Sequence, residues 1–217
     1  MHLSNRRLGL ILSGWLAAIV FAFFFLDRPW ADLITGQQAW LRPVVDPLTH
    51  MIGPLPAVAG IGMAAFGIAT VCGWSPGPRW RHPGWPRLFL SCCLAVLLAL
   101  FFREQLKYGF GRTWPETWVN NNPSWITDRV FGFNPFHGGT GWTSFPSGHA
   151  SVSAAIIPAF WRNRPAWKEL PLLFTALVCG GVLLADYHWI SDVIAGLGLA
   201  LFCGWTAERL LSYHQDL

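Results

Sequence analysis

Two histidines, two cations and an aspartate in this chain are of the types that phosphoryl transfer uses. Phe145-Pro146-Ser147-Gly148-His149 has the pattern of a helix start, with Ser147 as the capping hydroxyl and Gly148 permitting close approach to the backbone. Unpaired N–H groups at a helix start favour an anion, and His149, within the first turn, could give or take a proton. Tyr187-His188-Trp189-Ile190-Ser191-Asp192 opens another apolar segment. His188 and Asp192 are four apart, so on a helix they share a face and Asp192 can accept a hydrogen bond from one ring nitrogen. The other nitrogen is then a directed lone pair, which a nucleophile or a general base requires. Lys107 and Arg112, in Lys107-Tyr108-Gly109-Phe110-Gly111-Arg112, follow a third apolar segment; phosphate binding explains the pair, as does anchoring at an interface. In-line transfer needs a group that attacks phosphorus, one that protonates the leaving oxygen, and cations with N–H groups for the equatorial oxygens. Spacing alone does not say which histidine attacks. A second reading takes His137, His149, His188 and Asp192 as zinc ligands, with only their residue types in its favour.

The elements that must hold these residues are membrane helices. Of 217 residues 53% are hydrophobic and 12% charged, against about a quarter charged in soluble domains, which excludes a soluble enzyme and a disordered chain. The net charge of +4 is spread over small groups of Lys and Arg, so no nucleic-acid stripe forms. The five cysteines lie in apolar stretches without metal-ligand spacing and predict neither disulfides nor a metal site. Apolar segments at about 8–26, 54–73, 87–103, 147–162, 169–186 and 190–210 predict an all-α bundle of six transmembrane helices in a single domain, 1–217. Arg6 and Arg7 precede the first, which lacks a small-residue cleavage site and reads as an anchor instead of a signal peptide.

Six crossings place Arg6, Arg7, Arg79, Arg81, Arg87, Arg162, Arg164, Lys168 and Arg209 on one side. Arg28, Arg42, Arg103, Lys107, Arg112 and Arg129 fall on the other, together with most acidic residues. The positive-inside rule then puts both termini in the cytoplasm. Two connections lie outside: 27–50, expected to hold an interfacial helix with Trp30, Leu33, Ile34 and Trp40, and 103–147, with His137, Trp114, Trp118, Trp125 and Trp142. A connection as long as the second is expected to be functional.

These motifs resemble the type 2 phosphatidic acid phosphatase family, integral-membrane lipid phosphatases related to bacterial acid phosphatases and vanadium haloperoxidases. The family pattern is Lys, six residues, Arg-Pro; then Pro-Ser-Gly-His; then Ser-Arg, five residues, His, three residues, Asp. Pro146-Ser147-Gly148-His149 matches in full, as do His188 and Asp192 followed by Val193-Ile194-Ala195-Gly196. The resemblance implies that His188 is the nucleophile, that Asp192 orients it, that His149 protonates the leaving alcohol, and that Lys107, Ser147 and Gly148 bind phosphate. It implies no metal and no cofactor. Two family arginines are replaced: one position is Trp114, ahead of Pro115, and the Ser-Arg pair falls on Gly181 and Val182. Arg112 is the expected substitute for one, and Arg103, Arg129 or His137 for the other.

The resemblance therefore implies a metal-independent phosphatase of lipid phosphates or pyrophosphates in a bacterial-type inner membrane, its site on the periplasmic or extracellular face. Its partners are the bilayer and a membrane lipid phosphate, not nucleic acid. A lipid-to-lipid phosphotransferase, or a non-catalytic lipid-phosphate binder that has lost two arginines, are the alternatives.

Overall fold

The computed structural model describes residues 4–74, 84–117 and 121–213, so Arg79, Arg81, Trp118 and Asn120 lie outside the described residues. Helix α1 (Asn5–Phe25) begins at Ser4, whose hydroxyl accepts the Arg7 N–H. It leads into α2 (Asp27–Ile34) and α3 (Gln38–His50), then α4 (Pro54–Val71) and α5 (Trp85–Phe110). After the long connection, which among its described residues carries the one-turn helix α6 (Trp125–Asp128) and a short 3-10 turn, come α7 (Gly148–Ala154) and α8 (Ile157–Asn163). Helices α9 (Glu169–Leu184) and α10 (Ile190–Tyr213) follow. No strand occurs among the described residues, only isolated bridges within the 103–147 connection.

The all-α membrane bundle is as expected, with a difference in the spans. Among the described residues five stretches are long and apolar enough to cross a membrane: Arg6–Phe25, Trp40–Val71, Trp85–Phe110, Pro165–Leu184 and Ile190–Ser212. The segment at 147–162 is instead two short helices. Pro158 has no N–H and its ring clashes with the carbonyl of Ala154, so helical bonding stops there. The break is tolerated because α7 is enclosed by protein, against α5, α9 and α10, where non-helical backbone need not meet lipid. Residues 27–50 also differ: α2 is a short amphipathic helix, but α3 packs along α9, with Leu48, Val45 and Thr49 against Gly181.

The core is built from small residues. Ala95 and Ala99 of α5, Ala154 with Ala155 and Ile157 around the break, and Ala200, Cys203 and Ala207 of α10 form one buried cluster. Small side chains let membrane helices approach closely. Gly196 gives one such close approach: a Cβ there would lie 2.6 Å from the Ser147 carbonyl oxygen and 2.9 Å from the Ala150 Cβ. The start of α7 is thereby pressed onto α10. At the opposite end Arg87, Glu208, Asn163 and Ser212 form a buried polar cluster that joins α5, α8 and α10.

Candidate active site

The starts of α7 and α10 and the end of α5 meet at one end of the bundle. Ser147 caps α7, accepting the Ala150 N–H at 3.3 Å, while its own N–H donates to the Asp192 carbonyl at 3.0 Å. That backbone bond sets His149 beside His188. Their ring centroids are 5.5 Å apart and nearly perpendicular, so both imidazoles can reach one phosphoryl group.

His188 precedes α10 and is buried. Its Nδ1 faces Asp192 Oδ2 at 3.4 Å. An ionised carboxylate only accepts, so Nδ1 carries the proton and Nε2 keeps its lone pair. Burial holds the imidazole below the ordinary histidine pKa of 6.5, and the hydrogen bond to Asp192 opposes that shift in part. Asp192 itself is fully buried and saturated: it accepts from the Trp189 N–H, from Ser144 Oγ and from Arg112 as well as from His188.

Arg112 does not fit the expectation of a phosphate ligand. Its side chain is wholly buried; Nη2 pairs with Asp27 Oδ2 at 2.6 Å, and Nη1 donates to Asp192 and to Ser191 Oγ. The rings of Phe23, Phe131, Phe133, Phe145 and Trp189 surround the guanidinium. Gly111 makes this placement possible. It ends α5 in the left-handed region (φ 55°), and a Cβ there would overlap the Asn134 carbonyl, so the chain turns inward at Arg112.

Lys107, on the last turn of α5, acts electrostatically on both His149 and His188. The two positions where the family pattern has arginine are filled by packing. Trp114 lies over His188, ring centroids 5.1 Å apart, with its indole N–H donating to the Thr140 carbonyl. Val182 is in a core cluster with Ala150, Cys179 and Val193. Of the candidate substitutes, Arg129 is exposed and paired with Asp32, and His137 is exposed and stacked on Trp142. His137 is therefore not brought together with His149, His188 and Asp192. No cluster of three or more His, Cys, Asp or Glu side chains suited to a metal occurs among the described residues.

Three residues at the site were not singled out in the sequence. Asp27 opens α2 and accepts from Arg112, from the Ser191 N–H and from Ser191 Oγ. Burial raises its pKa, against the pull of Arg112. Ser144 fixes the second oxygen of Asp192. His50, at the end of α3, contributes to the field at His149. None belongs to a local motif; the only sequence signal is that Asp27 follows an apolar segment directly.

The 103–147 connection is fastened over this end. Trp189 Nε1 donates to the Thr113 carbonyl at 2.8 Å, Trp125 Nε1 to Asp32 at 2.9 Å, and Arg42 pairs with Glu116 at 2.6 Å.

The family profile of the PAP2 superfamily matches residues 88–216, which include all of α5, α7, α8 and α9 apart from the first residues of α5. Among curated proteins, the chain is 32% identical over 119 residues to a lipid A 1-phosphatase of Rhizobium etli, covering 54% of this chain and 45% of that protein. It is 32% identical over 111 residues to a lipid A 1-phosphatase of Rhizobium johnstonii, covering 51% and 41%. With a lipid A 1-phosphatase of Porphyromonas gingivalis it shares 23% identity over 154 residues, covering 69% and 27%. The matches span less than half the length of each of these relatives. No solved structure matches the chain. The profile match over more than half of the chain, carrying both histidines and Asp192, makes this protein a member of the PAP2 superfamily.

Proposed function

We propose that this protein is a phosphatase of membrane lipid phosphates that works through a phosphohistidine on His188. The observation that carries the reading is the His149–His188–Asp192 arrangement: one imidazole oriented by a buried carboxylate, with a second imidazole 5.5 Å from it.

In the first step Nε2 of His188 attacks phosphorus. The P–N bond forms as the P–O bond to the lipid alcohol breaks, and His149, which burial and neighbouring cations keep neutral until the phosphate's negative charge enters beside it, gives the proton it then holds to the departing oxygen. In the second step His149, now neutral, takes a proton from water, whose oxygen attacks phosphorus and breaks the P–N bond to release inorganic phosphate. Asp192 holds the proton on Nδ1 and stabilises the charge that develops on the ring. Lys107, Ser147 and Gly148 hold the equatorial oxygens.

The lipid A 1-phosphatase relatives make a glycolipid phosphate the first substrate to test, beside phosphatidic acid. Because α7 and α8 together run from Ser147 at the site to Asn163 beside Glu208 at the opposite end of the bundle, we count six passes, and the positive-inside rule then favours both termini in the cytoplasm and the site on the periplasmic or extracellular side of a bacterial inner membrane. The test is phosphate release by the full chain in detergent with a chelator present, from lipid A, phosphatidic acid, phosphatidylglycerol phosphate and a prenyl pyrophosphate. Release that disappears in His188→Ala, with melting behaviour unchanged, is expected; full residual activity in that variant contradicts the nucleophile assignment. Loss of release on adding chelator to the active wild type would favour a metal-dependent reaction instead.

A further inference from the structure

We propose that Arg103 is a phosphate-binding arginine of this site, serving in place of the arginines that Trp114 and Val182 replace. The inference rests on the phosphatase reading above and adds the cation that reading lacks. Arg103 lies one turn before Lys107 on α5, so both side chains leave the same face of the helix. A Cβ added to Gly148 would lie 2.6 Å from Arg103 Nη1, 3.3 Å from Cζ and 3.5 Å from Cδ. The guanidinium therefore covers the backbone of Gly148, at the phosphate-binding positions expected of Ser147 and Gly148.

Its field reaches the reacting groups. The titratable neighbours acting on His149 are His188, Lys107, Arg103 and His50, with no carboxylate among them. Arg103 also acts on Lys107. Its ion pair among the described residues runs from Nε to Glu104 at 2.9 Å, a partner that is itself half exposed. That pair engages Nε and leaves Nη1 toward Gly148. A planar fork of donors beside a lysine suits a phosphate monoester dianion, where arginine can hold two oxygens at once. The contrast with Arg112 is direct: that guanidinium spends its terminal nitrogens on Asp27, Asp192 and Ser191.

Glycine at 148 follows from the same geometry. Any side chain there would occupy the position of the guanidinium, so Gly148→Ala should mimic removal of Arg103 without touching it.

The experiment compares wild type, Arg103→Ala, Arg103→Lys, Gly148→Ala, the Arg103→Ala/Gly148→Ala double variant and His188→Ala in the full chain. The readouts are kcat/KM on the best substrate of the panel and inhibition by inorganic phosphate. Arg103→Ala is expected to lower kcat/KM on the order of 100-fold and to weaken phosphate inhibition about tenfold. Arg103→Lys should recover part of both, and the double variant should be no worse than Arg103→Ala alone. A change of less than about threefold in both readouts for Arg103→Ala, with His188→Ala inactive, overturns the Arg103 assignment and leaves the phosphohistidine reading standing. If wild type turns over none of the panel, the phosphatase reading fails and stabilisation by inorganic phosphate decides the inference. A melting shift present in wild type and absent in Arg103→Ala supports it; an equal shift in both, or none in wild type, overturns it.

Discussion

Arg112 and Arg103 show how burial, not charge, assigns a role to a side chain. Arg112 is sealed between two carboxylates and five aromatic rings, so its removal would leave Asp27 and Asp192 buried without their counter-ion. Arg112→Ala is expected to destabilise the fold by about 3–5 kcal/mol, read as thermal unfolding in detergent. A variant of wild-type stability with selectively weakened substrate binding would return Arg112 to the phosphate. The pH profile belongs to this scale as well. Burial holds His188 below 6.5, so its lone pair persists to lower pH than an ordinary imidazole, and the acid limb of kcat/KM attributable to it should fall below 6.5. An acid limb above 6.5, unmoved by changes at other groups, would contradict the buried nucleophile. Local spacing singled out His149, His188, Asp192, Ser147 and Lys107, because each lies in a short run of distinctive residue types at the edge of an apolar segment. Asp27 and Ser144 were not legible, since they reach Asp192 and Arg112 from distant parts of the chain. The substitution of Trp114 and Val182 for arginine was visible as a loss of charge, but only the packing shows which remaining arginine faces Gly148.

The meeting of α7 with α10 sets the distance between the two histidines. Gly196 has the Ser147 carbonyl and the Ala150 methyl directly against it, and neither is the far end of a flexible chain. Gly196→Ala must therefore move α10 away from α7, at a cost of about 1–3 kcal/mol. Because His149 and His188 ride on these two elements, kcat should fall more than KM rises; a variant with wild-type kcat would show that the separation is not set here. The same elements show where segment reading works. Helices α1, α5, α9 and α10 were legible as charge-poor apolar runs. The division into α7 and α8 was signalled by Pro158 but outweighed by the apolar length of 147–162, since hydropathy registers the environment and not the hydrogen bonding. Lys107 was placed just past its helix for the opposite reason: α5 continues through a stretch containing Arg103, Glu104 and Lys107, with its polar face turned toward the site.

Across the whole molecule, the connection over the site and the junction of α9 with α10 carry buried charge. Asp186 has both carboxylate oxygens buried without a hydrogen-bond partner and a left-handed backbone (φ 58°). Burial, with the nearby Glu116 adding to it and Arg42 opposing, raises its pKa from 3.8 to about 7. A carboxyl whose folded pKa is raised supports the fold fully below its unfolded pKa of 3.8, and that support is lost as pH rises from there to about 7. Asparagine tolerates the left-handed region and carries no charge. Asp186→Asn should therefore stabilise the protein at about pH 8, by at most ~4 kcal/mol from a shift of about three units, and change little at about pH 3, below the unfolded pKa of 3.8. Equal effects at both pH values would mean that Asp186 stays ionised throughout. The bundle as a whole was readable from composition, whereas the fastening of the 103–147 connection by Asp32, Glu116 and Thr113 was not, because each contact joins segments far apart in sequence.

The measurement that bears most directly on this account is a rapid-quench experiment with a substrate labelled in its phosphate, followed by mapping of the labelled peptide. Label on His188 within the first turnover, stable to base and lost in acid, is the expected result. A full turnover that releases phosphate with no label on His188, or with label on another residue, would contradict it.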